Sequence, residues 1–390
     1  MKFEDTAIAG VGQLRFDMYH GVPAVELARD AGLLALHDAG LTLADIDEVF
    51  VGYLGLQHQV GVKAVKELGL TGLPVTHIEN ASATGLFAFR EAAWAVSSGR
   101  AEVAMALTFD KMTDMSGRGS TASSMSRGAG RDQLDASILP AAFFALWAQR
   151  RMHDYGTRPE TFAAIAAKNW NHGALNPLAH RQPDHTVTVE EVMASRMIAE
   201  PLTAMMCCPA DDGAAAVIVA HEDFVRRRFP DRQLVRCLSS AAQSEAYSPG
   251  HAFLGPVVGP PTMTQTTGQE AYDKAGVGPD DISLALCHDA FANEELEYYE
   301  LLGFCEPGEG DKLVANGETA LGGRIPFNTD GGLIARGHPG GPTGVAMIHE
   351  IALQLRREAG LRQVEGARFG LAHCVGGGSV CTVNIFEGVD

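Results

Sequence analysis

Paired cysteines are missing from this chain. Its seven cysteines, Cys207, Cys208, Cys237, Cys287, Cys305, Cys374 and Cys381, are odd in number and none forms a CxxC unit. They imply neither a disulfide framework nor a zinc cluster, and they point to a reducing compartment. The adjacent Cys207 and Cys208 are too close in sequence to serve one structural zinc. Basic residues are scarce, 30 Lys and Arg against 48 Asp and Glu, for a formal charge of -18. Such a surface repels a polyanion on average, so nucleic acid is not the expected partner, while a local basic patch for a small phosphorylated ligand is still allowed. No run approaches the ~18 apolar residues of a membrane span. The opening Met-Lys-Phe-Glu-Asp lacks the basic and apolar regions of a secretion signal, and the closing Glu-Gly-Val-Asp is not a peroxisomal address. A cytoplasmic protein is expected. Gly10-Val-Gly12 lacks the third glycine of a dinucleotide fingerprint, and His349-Glu350 is followed by Leu353 where a zinc-protease helix needs a second histidine. No metal and no cofactor of that kind is expected.

What is present is the balance of a folded protein: 46% apolar and 20% charged residues over 390 positions, a length that suits about two domains. Strand and helix patterns alternate. Ala7 to Val11, Glu48 to Val51, the stretch Pro74 to Ile78 and Val103 to Leu107 read as strands, with helices over Ala24 to Gly40 and Thr84 to Val96. A parallel or mixed α/β sheet follows from that rhythm. Residues 112–131 are rich in Gly and Ser and read as a loop, followed by helical patterns at Ala141 to Met152 and Glu160 to Asn171 and then the apolar strand Ala214 to Ala220. Residues 112–205 therefore read as an insertion in a first half, 1–230, and a second half runs from 231 to 390. Ala39-Gly40 to Asp45-Ile46 and Ala275-Gly276 to Asp281-Ile282 share their spacing, and each leads into a strand pattern. A helix and strand after Thr84 are matched by a helix from Thr343 to Arg356 and a strand from Phe369 to His373. This pattern points to an internal duplication.

Three segments of the second half bring reactive side chains to strand ends or tight loops: Cys287-His288-Asp289-Ala290-Phe291, Gly337-His338-Pro339-Gly340-Gly341 and Cys374-Val375-Gly376-Gly377-Gly378. Glycine and proline around His338 fix the backbone and let it approach a ligand. An imidazole there can move protons near neutral pH. Cys374 reads either as a buried, inert thiol or as a nucleophile or base, the latter requiring a cationic neighbour or helix terminus to lower its pKa.

Together NTDGGLIARGHPGGPTG at 328–344, HCVGGGS at 373–379, HDAF at 288–291, the Asn176-Pro177 and Pro201-Leu-Thr stretches, and Asp212-Gly-Ala-Ala-Ala resemble the thiolase superfamily over nearly the whole chain. The resemblance is to the sterol-carrier-protein and lipid-transfer types. It implies an α/β thiolase fold of two duplicated halves in five αβαβα layers, with an inserted loop domain. It also implies an acyl-CoA substrate, with coenzyme A as part of that substrate and no separate cofactor. It implies proton transfer and an oxyanion pocket from His338 and Cys374, a supporting role for His288, and substrate contacts around Phe291, Gly337, Gly340, Gly376 and Gly377. A homodimer through the sheet edge near residues 74–110 and a small zinc-ribbon/OB-fold partner are further expectations from the resemblance.

The chain departs from the pattern at its most reactive position. Where the family carries a nucleophilic cysteine before the buried helix, the sequence reads Glu79-Asn80-Ala81-Ser82-Ala83-Thr84-Gly85. A serine hydroxyl needs an adjacent base to attack a thioester, and His338 is the candidate. Serine is also a favoured helix cap, so a purely structural Ser82 is the competing reading. Three activities stay open: acyl transfer through Ser82; retro-aldol cleavage of a β-hydroxyacyl-CoA without a nucleophile, as in steroid side-chain aldolases; and thioester binding without chemistry. Arg118, Arg127 and Arg131 are candidates for the coenzyme A phosphates, or solvated loop charges. Phe143, Phe144 and Trp147 read either as an apolar pocket wall or as helix core.

Overall fold

The computed structural model describes residues 2–3, 5–56, 58–116, 140–246, 261–377 and 379–389. Its centre is a mixed sheet of nine strands. In chain order these are β1 (Thr6–Gln13), β2 (Glu48–Gly52), β3 (Val75–Ile78), β4 (Val103–Lys111), then, after the small hairpin of β5 (Met197–Ala199) and β6 (Leu202–Thr203), β7 (Asp212–His221), β8 (Leu234–Ser244), β9 (Leu284–Leu286), β10 (Phe369–Gly376) and β11 (Val380–Val389). The spatial order is β3-β2-β4-β7-β1-β8-β11-β10-β9. Most of these strands are continuous apolar runs because helices cover both faces; β7, Asp-Gly-Ala-Ala-Ala-Val-Ile-Val-Ala-His, is buried along nearly its whole length.

The duplication read from the sequence is visible in this order. β2 lies parallel to β4, β4 antiparallel to β7, and β7 antiparallel to β1. β9, β10, β11 and β8 repeat those relationships in the same sequence. The two runs meet at one antiparallel pairing, Ala7 with Arg236. The matched segments also share local chemistry. Gly40 and Gly276 take positive φ of 55° and 73°, and each is followed by a tight turn whose aspartate accepts a backbone N–H, Thr42 to Asp45 Oδ2 at 2.8 Å and Gly278 to Asp281 Oδ2 at 2.7 Å.

Helices α1 (Ala24–Asp38) and α2 (Val60–Leu68) cover one face of the first run, where Ala28, Ala31 and Ala35 pack with Ala7, Val49, Val51 and Leu107. On the opposite face α3 (Thr84–Ser97) and the helix Pro342–Leu355 lie against each other and against strands of both runs. The helices Pro261–Ala275 and Ala292–Leu301 form an outer layer over the second run. The region between β4 and β7 includes the helices Pro140–Tyr155 and Pro159–Ala174, the latter started by a proline in its first turn. Both rest on the helix Ala292–Leu301 of the second half. No helix among the described residues is long and apolar enough to cross a membrane.

The two central helices touch backbone to backbone. A Cβ at Gly85 would fall 2.6 Å from the Gly341 carbonyl oxygen and 2.7 Å from the Val345 nitrogen, and one at Gly344 would fall 2.5 Å from the Leu86 nitrogen. Main-chain atoms have no rotamer by which to yield, so even alanine forces the helices apart, a form of overpacking that costs about 1–3 kcal/mol. Gly85→Ala is accordingly expected to lower the urea unfolding midpoint by that amount. Gly278→Ala, whose nearest neighbour is Asp281 Oδ2 at 3.9 Å, is expected to leave it within about 0.5 kcal/mol. Equal midpoints for the two variants would show that the helices do not cross this closely.

Candidate active site

β3 ends at Ile78, and a tight turn delivers Ser82 to the start of α3. Ala81 sits at φ 48°, and its N–H donates to Glu79 Oε1 at 2.8 Å, while the Asn80 N–H donates to Thr84 Oγ1 at 2.8 Å. The residue that caps α3 is Ala83, with no side-chain hydrogen bond to the helix. The capping role considered for Ser82 is therefore not the one its hydroxyl fills. Its Oγ lies 3.1 Å from His338 Nε2.

His338 is held by its backbone. Gly337 has φ 115°, and a Cβ there would meet Asp211 Oδ2 at 2.2 Å, so the position accepts only glycine. Asp211 Oδ2 takes the His338 N–H at 3.0 Å. On the other side of the loop Asp110 receives the Gly341 N–H at 2.7 Å and the Leu54 N–H at 2.7 Å. Gly340, at φ 82°, passes between Asp110 and Leu54. Burial pushes the Asp110 carboxyl well above its ordinary range. It also pushes Asp211 up to about 6, against the opposing pull of nearby His180 and of the His338 N–H. The His338 ring is fixed through Nδ1, 2.8 Å from Thr343 Oγ1. Burial holds its imidazole well below 6.5, and the neighbouring His288 and Arg336 push in the same direction. A neutral ring that donates Nδ1–H to Thr343 presents an Nε2 lone pair to the Ser82 hydroxyl, the arrangement a general base requires.

The other two reactive side chains converge on the same spot. The His288 ring stands perpendicular to that of His338 with centroids 5.4 Å apart. Cys374 donates its S–H to the Ser82 carbonyl oxygen at 3.2 Å. The thiol is fully buried, and that burial raises it well above the ordinary thiol range; Arg336 opposes the shift without reversing it. The cationic help from Arg336 is thus outweighed by burial, which favours the neutral thiol. Gly376 lets β10 end against the serine turn, since a Cβ there would strike the Asn80 carbonyl oxygen at 2.2 Å; Gly377, the next residue, is half-buried. Phe291 stacks on Phe144 from the region between β4 and β7, centroids 4.6 Å apart, and Phe144 is tilted against Trp147 and edge-on to Phe143. These aromatics form one cluster beside the His288 loop. Arg118, Arg127 and Arg131 lie outside the described residues.

Ser82, His288, His338 and Cys374, dispersed over almost 300 positions, thus form one constellation. Gly337, Gly340 and Gly376 shape its backbone, and Phe291 stands next to it. Sequence reasoning missed Thr343, Asp110, Asp211 and Glu294, the last with its Oε2 2.8 Å from His288 Nδ1. Thr343 had a usable cue, a hydroxyl five residues after His338 at the start of a helix. Asp110 and Asp211 had none, because each acts on a backbone N–H far away in sequence. The depressed His338 imidazole should stay neutral as pH is lowered through 6.5. A nitrogen-15 NMR titration of the histidine rings checks this: a midpoint near 6.5 for the resonance lost in His338→Gln would contradict the described burial.

Residues 6–223 match the thiolase N-terminal domain and residues 258–386 the thiolase C-terminal domain-like model. The chain is 36% identical to the acetyl-CoA acetyltransferase of Methanothermobacter thermautotrophicus, covering 98% of this chain and 99% of that protein. It is 35% identical to sterol carrier protein 2 of Gallus gallus over 97% of this chain and 71% of that one. It is 33% identical to the benzoylsuccinyl-CoA thiolase subunit BbsB of Thauera aromatica over 95% and 94%. Among solved structures, the Ltp2-ChsH2(DUF35) aldolase superposes with a TM-score of 0.83 at 26% identity, covering 98% of each chain. The chain belongs to the thiolase family.

Proposed function

We propose that this protein acts on acyl-CoA thioesters through Ser82, cleaving a carbon-carbon bond next to the thioester and carrying the released acyl group as a serine ester. The observation that supports this most directly is the Ser82 Oγ to His338 Nε2 distance of 3.1 Å. In this reading the Ser82 proton passes to His338 Nε2 as Oγ adds to the β-carbonyl carbon of a β-ketoacyl-CoA. The Cα–Cβ bond then breaks, leaving the acyl group on Ser82 and an acyl-CoA enolate. Cys374, resting as a thiol, supplies the proton that the enolate carbon takes up. Coenzyme A then attacks the ester: His338 gives the proton it took from Ser82 back to the departing Oγ, and the coenzyme A thiol proton passes to the Cys374 thiolate, so that no proton is gained or lost over the cycle. The chemistry needs no cofactor beyond coenzyme A itself.

A second reading has its own support in the aldolase neighbour: His338 removes the hydroxyl proton of a β-hydroxyacyl-CoA, the carbon-carbon bond breaks, and Ser82 serves only as a hydrogen-bond partner. Intact-protein mass measurement after incubation with a labelled β-ketoacyl-CoA separates the two. Acyl transfer requires an adduct that Ser82→Ala abolishes. No adduct together with cleavage of a β-hydroxyacyl-CoA favours the aldolase, and neither result leaves a thioester-binding protein. The assembly named for the aldolase neighbour also supports a small zinc-ribbon/OB-fold partner for this chain. The open outer edge of β3, where Thr76 and His77 are exposed, supports a homodimer.

If His338 is the base, its partner Thr343 fixes which nitrogen is free. Thr343→Val keeps the shape and removes that partner, so the single-turnover rate of Ser82 acylation should fall roughly 10–100-fold, with Thr343→Ser restoring most of it. The rate should also persist below pH 6.5, because a lowered imidazole remains unprotonated there. An acidic limb near 6 that disappears in Asp211→Asn belongs to that carboxyl, whereas a limb at 6.5 that survives the substitution counts against His338 as the base.

A further inference from the structure

The two active-site imidazoles stand 5.4 Å apart, and their second nitrogens have different partners. His338 Nδ1 meets a neutral hydroxyl, Thr343 Oγ1, at 2.8 Å. His288 Nδ1 meets a carboxylate oxygen, Glu294 Oε2, at 2.8 Å. That carboxylate is itself fully engaged. Oε2 also receives the Tyr298 hydroxyl at 3.1 Å, and Oε1 receives the Phe291 N–H at 3.1 Å. All three donors come from the 288–298 segment, so the loop carrying His288 is closed on the first turn of the helix Ala292–Leu301, and Glu294 is completely buried within it.

The two partners fix the two rings in different ways. A carboxylate can only accept, so it holds His288 with a proton on Nδ1, whereas a hydroxyl can donate or accept. The titratable groups around His288 are Glu294 and Tyr298 on its own segment, His338 across the site and His373 of β10, whose ring packs 4.2 Å from that of Tyr298. Among the described residues, neither ring nitrogen of His373 has a hydrogen-bond partner, and Glu294 is the only carboxylate that meets a ring nitrogen of His288 or His338.

Resting on the reading of Ser82 and His338 given above, we infer that Glu294 is a positioning residue that divides the labour of the two histidines. It takes Nδ1–H of His288 and so fixes that ring's tautomer and orientation, as Thr343 orients His338. His288 then presents its remaining nitrogen, Nε2, to the site as a lone pair able to accept a proton. No covalent bond is made or broken by Glu294, and its carboxylate is unchanged over the cycle.

Glu294→Gln tests this specifically. The single amide oxygen cannot accept from Phe291, Tyr298 and His288 together. With that oxygen on the Phe291 side, the amide N–H donates to His288 Nδ1 and moves the ring proton to Nε2. Nitrogen-15 NMR of histidine-labelled full-length protein, with His288 assigned by its loss in His288→Gln, should show Nδ1 protonated in the parent and unprotonated in Glu294→Gln. This spectroscopic readout does not depend on whether Ser82 is acylated, so it can fail independently of the catalytic reading. In turnover of a β-ketoacyl-CoA, kcat should fall roughly 10–100-fold with KM within about 3-fold, and Glu294→Asp should recover part of the loss. Glu294→Gln in a His288→Gln background should cost nothing further, because the residue acts through the histidine. Tyr298→Phe removes one donor from Glu294 while keeping the ring, and should leave the His288 proton on Nδ1. An unchanged His288 spectrum in Glu294→Gln, or equal losses from Glu294→Gln in the presence and absence of His288, overturns the inference.

Discussion

The distance between Ser82 and His338 is set where two helices cross with nothing but backbone between them. Ser82 lies two residues before α3, and His338 lies four residues before the helix Pro342–Leu355. Those helices meet at Gly85 and Gly344, whose missing side chains let main-chain atoms touch. Both reactive groups therefore stand at the N-terminal ends of elements whose separation cannot vary without breaking the central layer of the molecule. The rest of the site is arranged around that contact. β10 brings Cys374 to the Ser82 carbonyl, and the Gly376 position, open only to glycine, lets the strand end there.

Charge management in the site follows from burial. Four ionisable groups at or next to the centre, His338, Cys374, Asp110 and Asp211, are all displaced toward their neutral forms, as expected where desolvation outweighs pairing. The two aspartates accept backbone N–H groups of the 337–341 loop and of Leu54, so they shape the loop without placing an anion beside the reacting atoms. A negative charge close to Ser82 would oppose addition to a carbonyl carbon, which builds negative charge on the carbonyl oxygen. Keeping the nearest carboxylates turned toward main-chain donors avoids that while still fixing His338.

Much of the fold was legible in the sequence, for identifiable reasons. Strands such as β7 are unbroken apolar runs, helices such as α3 end at glycines, and the duplicated Ala-Gly to Asp-Ile segments form matching turns because each needs a positive-φ glycine and an aspartate to hold the next backbone N–H. The reactive residues were legible where glycine and proline framed them, as at His338 and Cys374. The supporting carboxylates were not. Asp110 sits at the end of an ordinary apolar strand, and Asp211 reads as one of an acidic pair; each becomes meaningful only when the fold brings a distant N–H to it. Glu294 was hidden for a related reason, since an acidic residue in the first turn of a helix normally answers the helix dipole and needs no further explanation. The state of Cys374 was also beyond sequence, because depth of burial, not neighbouring residue type, determines it.

If acylation runs through Ser82 as proposed, the surrounding residues must supply a base. A thiol is partly ionised near neutral pH, so a cysteine nucleophile can dispense with a strong base, but a hydroxyl cannot. Beside Ser82 stands an imidazole whose burial favours its neutral form, and its orienting partner is a threonine hydroxyl, which fixes the ring without stabilising positive charge on it. A proton taken by His338 is therefore held weakly and is readily returned. For the proposed serine ester, made and then broken with the same histidine, weak retention is an advantage: a base that bound the proton tightly would slow its own second step. The carboxylate lies instead behind His288, at the other edge of the site, where it fixes the His288 tautomer without touching the Ser82–His338 pair. Thr343 and Glu294 thus hold two rings 5.4 Å apart through partners of different chemistry, which under the proposed mechanism keeps their roles separate.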